Sequence, residues 1–307
     1  MHVPPSVPET LVRSTIELRG EAGVGWLKRI PTLVAQLEHR WSLEIGPPFA
    51  GIWINWVAPA TSADGVPVVL KLSFPEDREF ETEAKALKLF NGRGIVKLLR
   101  LDVDTGAMLL ERCEPGMPLT AVEDDEEATS IAAGVMEELW RPAPPEHPFP
   151  SVADWAKGLV RLRQRYGGRT GPMPETLVEH AEALFAELIP SQAETFLLHG
   201  DLHHDNILSS ERRPWLAIDP KGVVGEPAYD TAALLHNPVH LLYKPETGRL
   251  LRRRIDLLSE RLALDRARVY GWGLAQAVLA AYWGLEDSGR VWEEALAFAE
   301  VIRAGGR

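Results

Sequence analysis

The sequence predicts an α+β chain of two unlike parts, a small antiparallel sheet crossed by one helix and then a mainly helical remainder. Three observations predict it. Apolar β-type runs at 52–57 and 66–72 are separated by Ala63-Asp64-Gly65, a turn signal. Beyond Glu114-Pro115-Gly116-Met117-Pro118, which reads as a linker, apolar residues recur at helical spacing through several long windows. One β-rich island, 195–218, interrupts those helices and carries an unusually polar loop.

Taken in order, a proline-rich start gives way to an amphipathic helix over 25–40, with Leu27, Ile30, Val34 and Leu37 on one face. The two strands named above follow. A helix over 75–90 places Phe80, Ala84 and Leu87 on one stripe, and strands are predicted at 95–102 and 107–112. The natural division is 1–112 for the first part and 113–307 for the second. Helices are predicted in the second part at 126–140, 152–166, 175–188, 249–262, 266–285 and 291–302. The acidic run Glu123 to Glu127 reads as a solvated loop and helix start, where carboxylates suit the helix dipole, with a cation-attracting lip as the lesser alternative.

Composition narrows the function classes. The chain has 307 residues, 45% hydrophobic and 25% charged, an ordinary globular balance. Its net charge of -11 argues against nucleic acid as a partner, which needs a basic face. It suits a cationic small molecule steered to an acidic cleft, and equally suits solubility alone. The single cysteine, Cys113, precludes an internal disulfide, and the start lacks a basic segment followed by an apolar run, so a cytoplasmic protein is expected. The longest apolar stretch, 274–285, is too short to span a bilayer, so no membrane partner is expected.

The island carries the chemistry. Thr195-Phe196-Leu197-Leu198 reads as a short strand, and His199-Gly200-Asp201-Leu202-His203-His204-Asp205-Asn206 as a polar loop. Ile207-Leu208-Ser209 and Trp215-Leu216-Ala217-Ile218 read as a hairpin about the turn at 210–214. Such a hairpin brings Asn206, entering one strand, beside Asp219, leaving the other. An amide oxygen and a carboxylate there are hard ligands suited to Mg2+. Asp201, five residues before Asn206, faces the same place without being a ligand. That division suits phosphoryl transfer, with one aspartate for the hydroxyl proton and two residues for the metal.

This Asp-x-x-x-x-Asn, followed by a strand and Asp, resembles the catalytic and metal-binding loops of kinase-fold enzymes. His-Gly-Asp before it, with Ala217-Ile-Asp-Pro-Lys-Gly-Val-Val-Gly-Glu-Pro-Ala-Tyr-Asp230 after it, is most similar to the aminoglycoside and hydroxyurea resistance kinases. The resemblance spans roughly 43–238. It implies a protein-kinase-like two-lobe fold and phosphoryl transfer from ATP, with Mg2+, to a small-molecule hydroxyl, most naturally an aminoglycoside such as streptomycin, with hydroxyurea also possible. It implies Asp201 as catalytic base and Asn206 and Asp219 as Mg2+ ligands. Lys71 matches the strand lysine that contacts the phosphates and Glu83 its helix partner, with Glu79 one turn earlier as runner-up. The carbonyl of Glu111 and the amide of Cys113 would hold the adenine. Asp230 would brace the catalytic loop. From the residues themselves, His199 reads as a structural hydrogen-bonding residue, and Glu226, near the metal loop in sequence, is taken as an acceptor contact.

Two departures stand out. The stretch 46–55 lacks G-x-G-x-x-G, leaving Gly51 as the position taken for phosphate contact. Asp219 is followed by Pro220-Lys221 rather than Phe-Gly, which removes the flipping switch of protein kinases and suggests a constitutively assembled site. Three rival readings remain. A housekeeping kinase for a sugar or amino alcohol would share the fold, since fold does not fix function. A metal-dependent hydrolase would use His199, Asp201, His203, His204 and Asp205, with His236 and His240 as the nearby candidates for further ligands. A catalytically dead nucleotide binder is disfavoured because every expected catalytic position is filled.

Overall fold

The structure, a computed structural model, describes residues 7–75 and 77–305. The chain forms two compact units: the described residues up to Gly92 together with Val96–Glu114, and Arg93–Ile95 together with the described residues from Pro115 onward.

The first unit is an antiparallel five-stranded sheet, order β1-β2-β3-β5-β4, with two helices. Its elements are α1 (Glu9–Trp41), β1 (Leu43–Ile45), β2 (Trp56–Ser62), β3 (Pro67–Leu72), α2 (Arg78–Phe90), β4 (Leu98–Asp102) and β5 (Ala107–Glu111). α1 starts well before the predicted 25–40. It breaks at Gly20, whose φ of 55° lies in the left-handed region. Both halves bury apolar residues, among them Leu11, Ile30 and Leu37, in one core with Trp56, Leu70 and Leu72 of the sheet.

Two strand predictions need correction. The run 52–57 is not a strand as a whole: Trp53 and Ile54 are exposed, and β2 begins at Trp56 and runs on through Pro59. Pro59 is tolerated because β1 has ended at Ile45, so its missing N–H deprives no β1 residue of a partner. The strand predicted at 95–102 shortens to β4, because Ile95 instead bridges in parallel to Ala217 of the second unit.

The second unit has three-stranded sheets of order β10-β9-β6 and β11-β8-β7 among its helices. Here β6 is Pro115–Pro118, α3 Asp125–Leu139, β7 Arg141–Pro142, α4 Val152–Arg165, α5 Glu175–Leu188, β8 Phe196–Leu198, β9 Ile207–Ser210, β10 Trp215–Ala217 and β11 Val223–Gly225. Then come two single turns, α6 (Pro227–Asp230) and α7 (Ala232–Leu235), and the long helices α8 (Thr247–Arg261), α9 (Arg266–Ser288) and α10 (Glu293–Gly305). α9 is the core helix, buried almost without interruption from Val269 to Tyr282, so its apolar residues leave no polar face to solvent there. The predicted linker at 114–118 is partly a strand, with Pro115 and Pro118 opposite Ser210 and Leu208.

The acidic run is structural rather than a lip. Asp124 caps α3 by accepting from the Glu127 N–H at 2.9 Å, Asp125 pairs with Arg254, and Glu126 pairs with Arg253. No helix among the described residues is long and apolar enough to cross a membrane.

Candidate active site

The predicted hairpin forms: Trp215 faces Ser209, Leu216 faces Leu208 and Ala217 faces Ile207. The pairing extends one step further, where the Ile218 N–H donates to the Asn206 carbonyl at 2.9 Å. Asn206 and Asp219 therefore sit at the same end, opposite the turn. The Asn206 amide nitrogen donates to the Asp201 carbonyl at 2.9 Å, which directs its amide oxygen away from the loop backbone. Asp219 holds φ at 59°, a left-handed conformation that is uncommon for a residue with a Cβ and that clusters at functional sites.

The loop is turned by Gly200 and held from beneath. Gly200 has φ of 86°, and a Cβ there would lie 2.7 Å from the Trp155 ring, so only glycine fits before Asp201. Both oxygens of Asp230 serve the loop: one accepts from the Gly200 N–H at 2.7 Å, the other from the His199 N–H at 3.1 Å and the Trp140 indole at 3.0 Å. Burial pushes the Asp230 carboxyl up, while those three donors hold it down.

His199 is fully buried and joins the two loops. Its Nε2 lies 2.8 Å from the Ile218 carbonyl, which only accepts, so Nε2 carries the proton; Nδ1 then accepts from the Asp201 N–H at 3.2 Å. Its carbonyl accepts from the N–H groups of Lys221 and Gly222. Burial lowers its pKa to about 4, so the ring is neutral. With both nitrogens engaged it has no lone pair for zinc, which removes the first member of the hydrolase cluster. Among the described residues no group of three or more His, Cys, Asp or Glu is arranged to hold a metal ion.

Beneath the loop lies Arg254, 1% exposed. It donates to Asp125 at 3.0 Å and to the Leu234 carbonyl at 2.9 Å, and sits 3.4 Å from Nε2 of His204. Burial and this guanidinium lower the pKa of His204 to about 3. The sequence reading missed Arg254, because Arg252-Arg253-Arg254 looks like a solvated basic stretch and only helical phase turns the third inward. Trp140 was missed too, and no local signal marks it.

In the first unit, Lys71 of β3 places its ammonium 2.7 Å from both carboxylate oxygens of Glu83 on α2, and both side chains are buried. Glu79, the runner-up, is exposed. Glu111 ends β5, where its carboxylate accepts from the Lys97 N–H at 2.9 Å, and Cys113 is buried two residues on. Gly51 lies in the turn between β1 and β2 with φ of 76° and open space where a Cβ would be.

Glu226 corrects an expectation. It is 8% exposed, and Arg268 on α9 clamps both its oxygens at 2.8 Å while the Trp272 indole donates to it. A carboxylate so enclosed is taken up in tying β11 and α6 to the core helix, not in meeting an acceptor.

A glycine-turned aspartate loop beside an Asn/Asp hairpin end, on a chain that also carries a buried strand-lysine to helix-glutamate pair, defines a phosphotransferase of the kinase-like fold. Solved structures agree on the fold. A thermostable mutant of an aminoglycoside phosphotransferase, in ternary complex with ADP and hygromycin B, superposes with TM-score 0.62 at 14% identity, covering 88% of this chain and 96% of that one. A choline/ethanolamine kinase family protein from Mesorhizobium loti gives TM-score 0.64 at 15% identity, covering 89% and 94%. The sequence is more particular: the chain belongs to the aminoglycoside/hydroxyurea antibiotic resistance kinase family, whose profile matches residues 45–288. It is 34% identical to the streptomycin 6-kinase of Streptomyces glaucescens over 97% of both chains. It is 35% identical to the hydroxyurea phosphotransferase of Kitasatospora aureofaciens, over 97% of this chain and 87% of that one.

Proposed function

We propose that this kinase transfers the γ-phosphoryl group of ATP to a hydroxyl of an aminoglycoside such as streptomycin. The observation that carries the acceptor class is the similarity to streptomycin 6-kinases along nearly the whole chain. Asp201 takes the acceptor's hydroxyl proton. As the new oxygen–phosphorus bond forms, the bond from the γ-phosphorus to the β,γ-bridging oxygen breaks, and ADP leaves with that electron pair. Lys71, held by Glu83, engages the nucleotide phosphates, and main-chain groups of Glu111 and Cys113 hold the adenine. Gly51 is assigned the remaining phosphate contact in the first unit.

The donor set suits Mg2+: an amide oxygen aimed by its own nitrogen's hydrogen bond, and a carboxylate, are both hard oxygen ligands. Asn206 and Asp219 would hold the ion, with other positions left to phosphate and water. Bound there, it neutralises phosphate charge. Asp230 and His199 keep the loop in place, and the protein works in the cytoplasm with a small molecule as its partner.

The test is an ATP-consumption assay on the purified chain with streptomycin, other aminoglycosides, hydroxyurea, simple sugars and amino alcohols, with mass spectrometry of the products. A single phosphorylated aminoglycoside is expected. Hydroxyurea is the second reading, favoured by the 35% identity to a hydroxyurea phosphotransferase. Turnover of only sugars or amino alcohols would remove both and leave a housekeeping kinase.

A further inference from the structure

The turn that carries Asn206 does little to set its own shape. His204–Asn206 is a single 3-10 turn, a form with poor internal hydrogen-bond geometry. Its outer anchor is weak: the Asp205 side chain is 62% exposed, and the Thr120 hydroxyl reaches it at 3.3 Å. On the inner side the His204 ring is buried and faces Arg254. A guanidinium only donates, so Nε2 of His204 carries the lone pair and Nδ1 the proton. Nδ1 has no hydrogen-bond partner among the described residues. The polar hold of this ring on the body of the second unit is therefore Arg254, at 3.4 Å.

Arg254 is itself fixed on every side. Its Nε lies 3.0 and 3.1 Å from the two carboxylate oxygens of Asp125 at the start of α3, and one terminal nitrogen donates to the same group. The other terminal nitrogen donates to the carbonyls of Leu234 in α7, at 2.9 Å, and of Asn237. A head group held in this way gives His204 one defined seat. The contacts then continue upward. The Asn206 N–H donates to the His203 carbonyl at 2.9 Å, and its side-chain amide donates to the Asp201 carbonyl. Every group in this series belongs to the second unit. A metal ligand keeps its direction through the groups packed behind it, and losing one costs about tenfold to a hundredfold in metal affinity or activity.

We propose that Arg254 is a positioning residue for phosphoryl transfer: through His204 it fixes the turn that presents Asn206 as a metal ligand. This rests on the assignment of Asn206 to the metal, not on the identity of the acceptor.

The test uses the full chain saturated with ADP and titrated with Mn2+, a paramagnetic stand-in for Mg2+, with free Mn2+ followed by electron paramagnetic resonance. His204→Leu removes the acceptor that faces the guanidinium, and His204→Gln retains one. The leucine variant is expected to bind Mn2+ about tenfold to a hundredfold more weakly, and the glutamine variant to recover most of that loss. ADP affinity measured without metal should not change in either. Arg254→Met should weaken Mn2+ binding as His204→Leu does, and combining the two should weaken it no further, because both cut one link. Losses that add would reduce Arg254 to general support and overturn the proposal. The histidine variants leave the Arg254–Asp125 pair in place, so they decide the matter if Arg254→Met fails to fold. Wild-type Mn2+ affinity in His204→Leu, or equal losses in the leucine and glutamine variants, also overturns it. Asn206→Ala tests the reading beneath: if it binds Mn2+ as tightly as wild type, or if wild type with ADP takes up none, the metal assignment of Asn206 falls and this inference with it.

Discussion

The two units hold their charged groups in opposite ways. In the first, Lys71 and Glu83 neutralise each other in a buried, bidentate pair. In the second, Asp201 and Asp219 stay about one-third exposed, and order comes from beneath, through Asp230, His199 and Arg254. A closed pair is fragile to the loss of either member, because the survivor is left charged and dry. A loop held by a network keeps its fold when its outward-facing aspartate is changed. The same kind of substitution should therefore hit catalysis in one unit and stability in the other.

The sharpest break is Asp201→Asn. Removing a positioned base typically costs about 10²–10⁴-fold, so kcat should fall by that factor while the thermal midpoint and ADP affinity barely move. Turnover near wild type would remove the assignment. Next is Lys71→Met, which removes the bidentate ion-pair partner of buried Glu83 in the first unit. Breaking a buried pair from one side costs about 3–5 kcal/mol, to be read as a lower urea midpoint. Replacing both residues together with apolar ones of similar volume should restore most of the stability, though not activity. Third comes Gly200→Ala. The added methyl meets Trp155 and the residue must keep a positive φ, a strain of about 1–3 kcal/mol, and kcat should fall although Asp201 itself is untouched.

Much of this was legible in the sequence, for reasons that differ by element. The hairpin was readable because two short apolar runs flank a turn, and pairing them puts Asn206 and Asp219 at the open end. The Lys71–Glu83 pairing was readable only through family resemblance; helical spacing alone left Glu79 in play. The run 52–57 misled because apolar content marks a strand without marking its phase, and Pro59 disguised the true one. Glu226 misled because nearness in sequence to the metal loop says nothing about what α9 brings alongside. Arg254 and Trp140 stayed hidden because their partners, His204 and Asp230, lie 50 and 90 residues away.

The smallest expected effect separates the supporting network from the exposed aspartates by pH. Burial lowers the pKa of His199 and of His236 to about 4 from an ordinary 6.5. The unfolded chain therefore binds protons that the folded chain refuses between about pH 6.5 and 4. Stability contributed by these rings is complete above pH 6.5, falls as pH drops through that window, and levels off below 4. At pH 5 each histidine should cost about 2 kcal/mol relative to pH 7.5, at 1.36 kcal/mol for each pKa unit. The measurement is the urea midpoint at the two pH values for wild type and for His236→Gln. Glutamine retains a donor toward Gln276, which lies 2.6 Å from the histidine ring, without being able to titrate. The variant should be less stable at pH 7.5 yet show a shallower loss toward pH 5. An identical slope in the two proteins would mean that burial does not keep His236 neutral in the folded state.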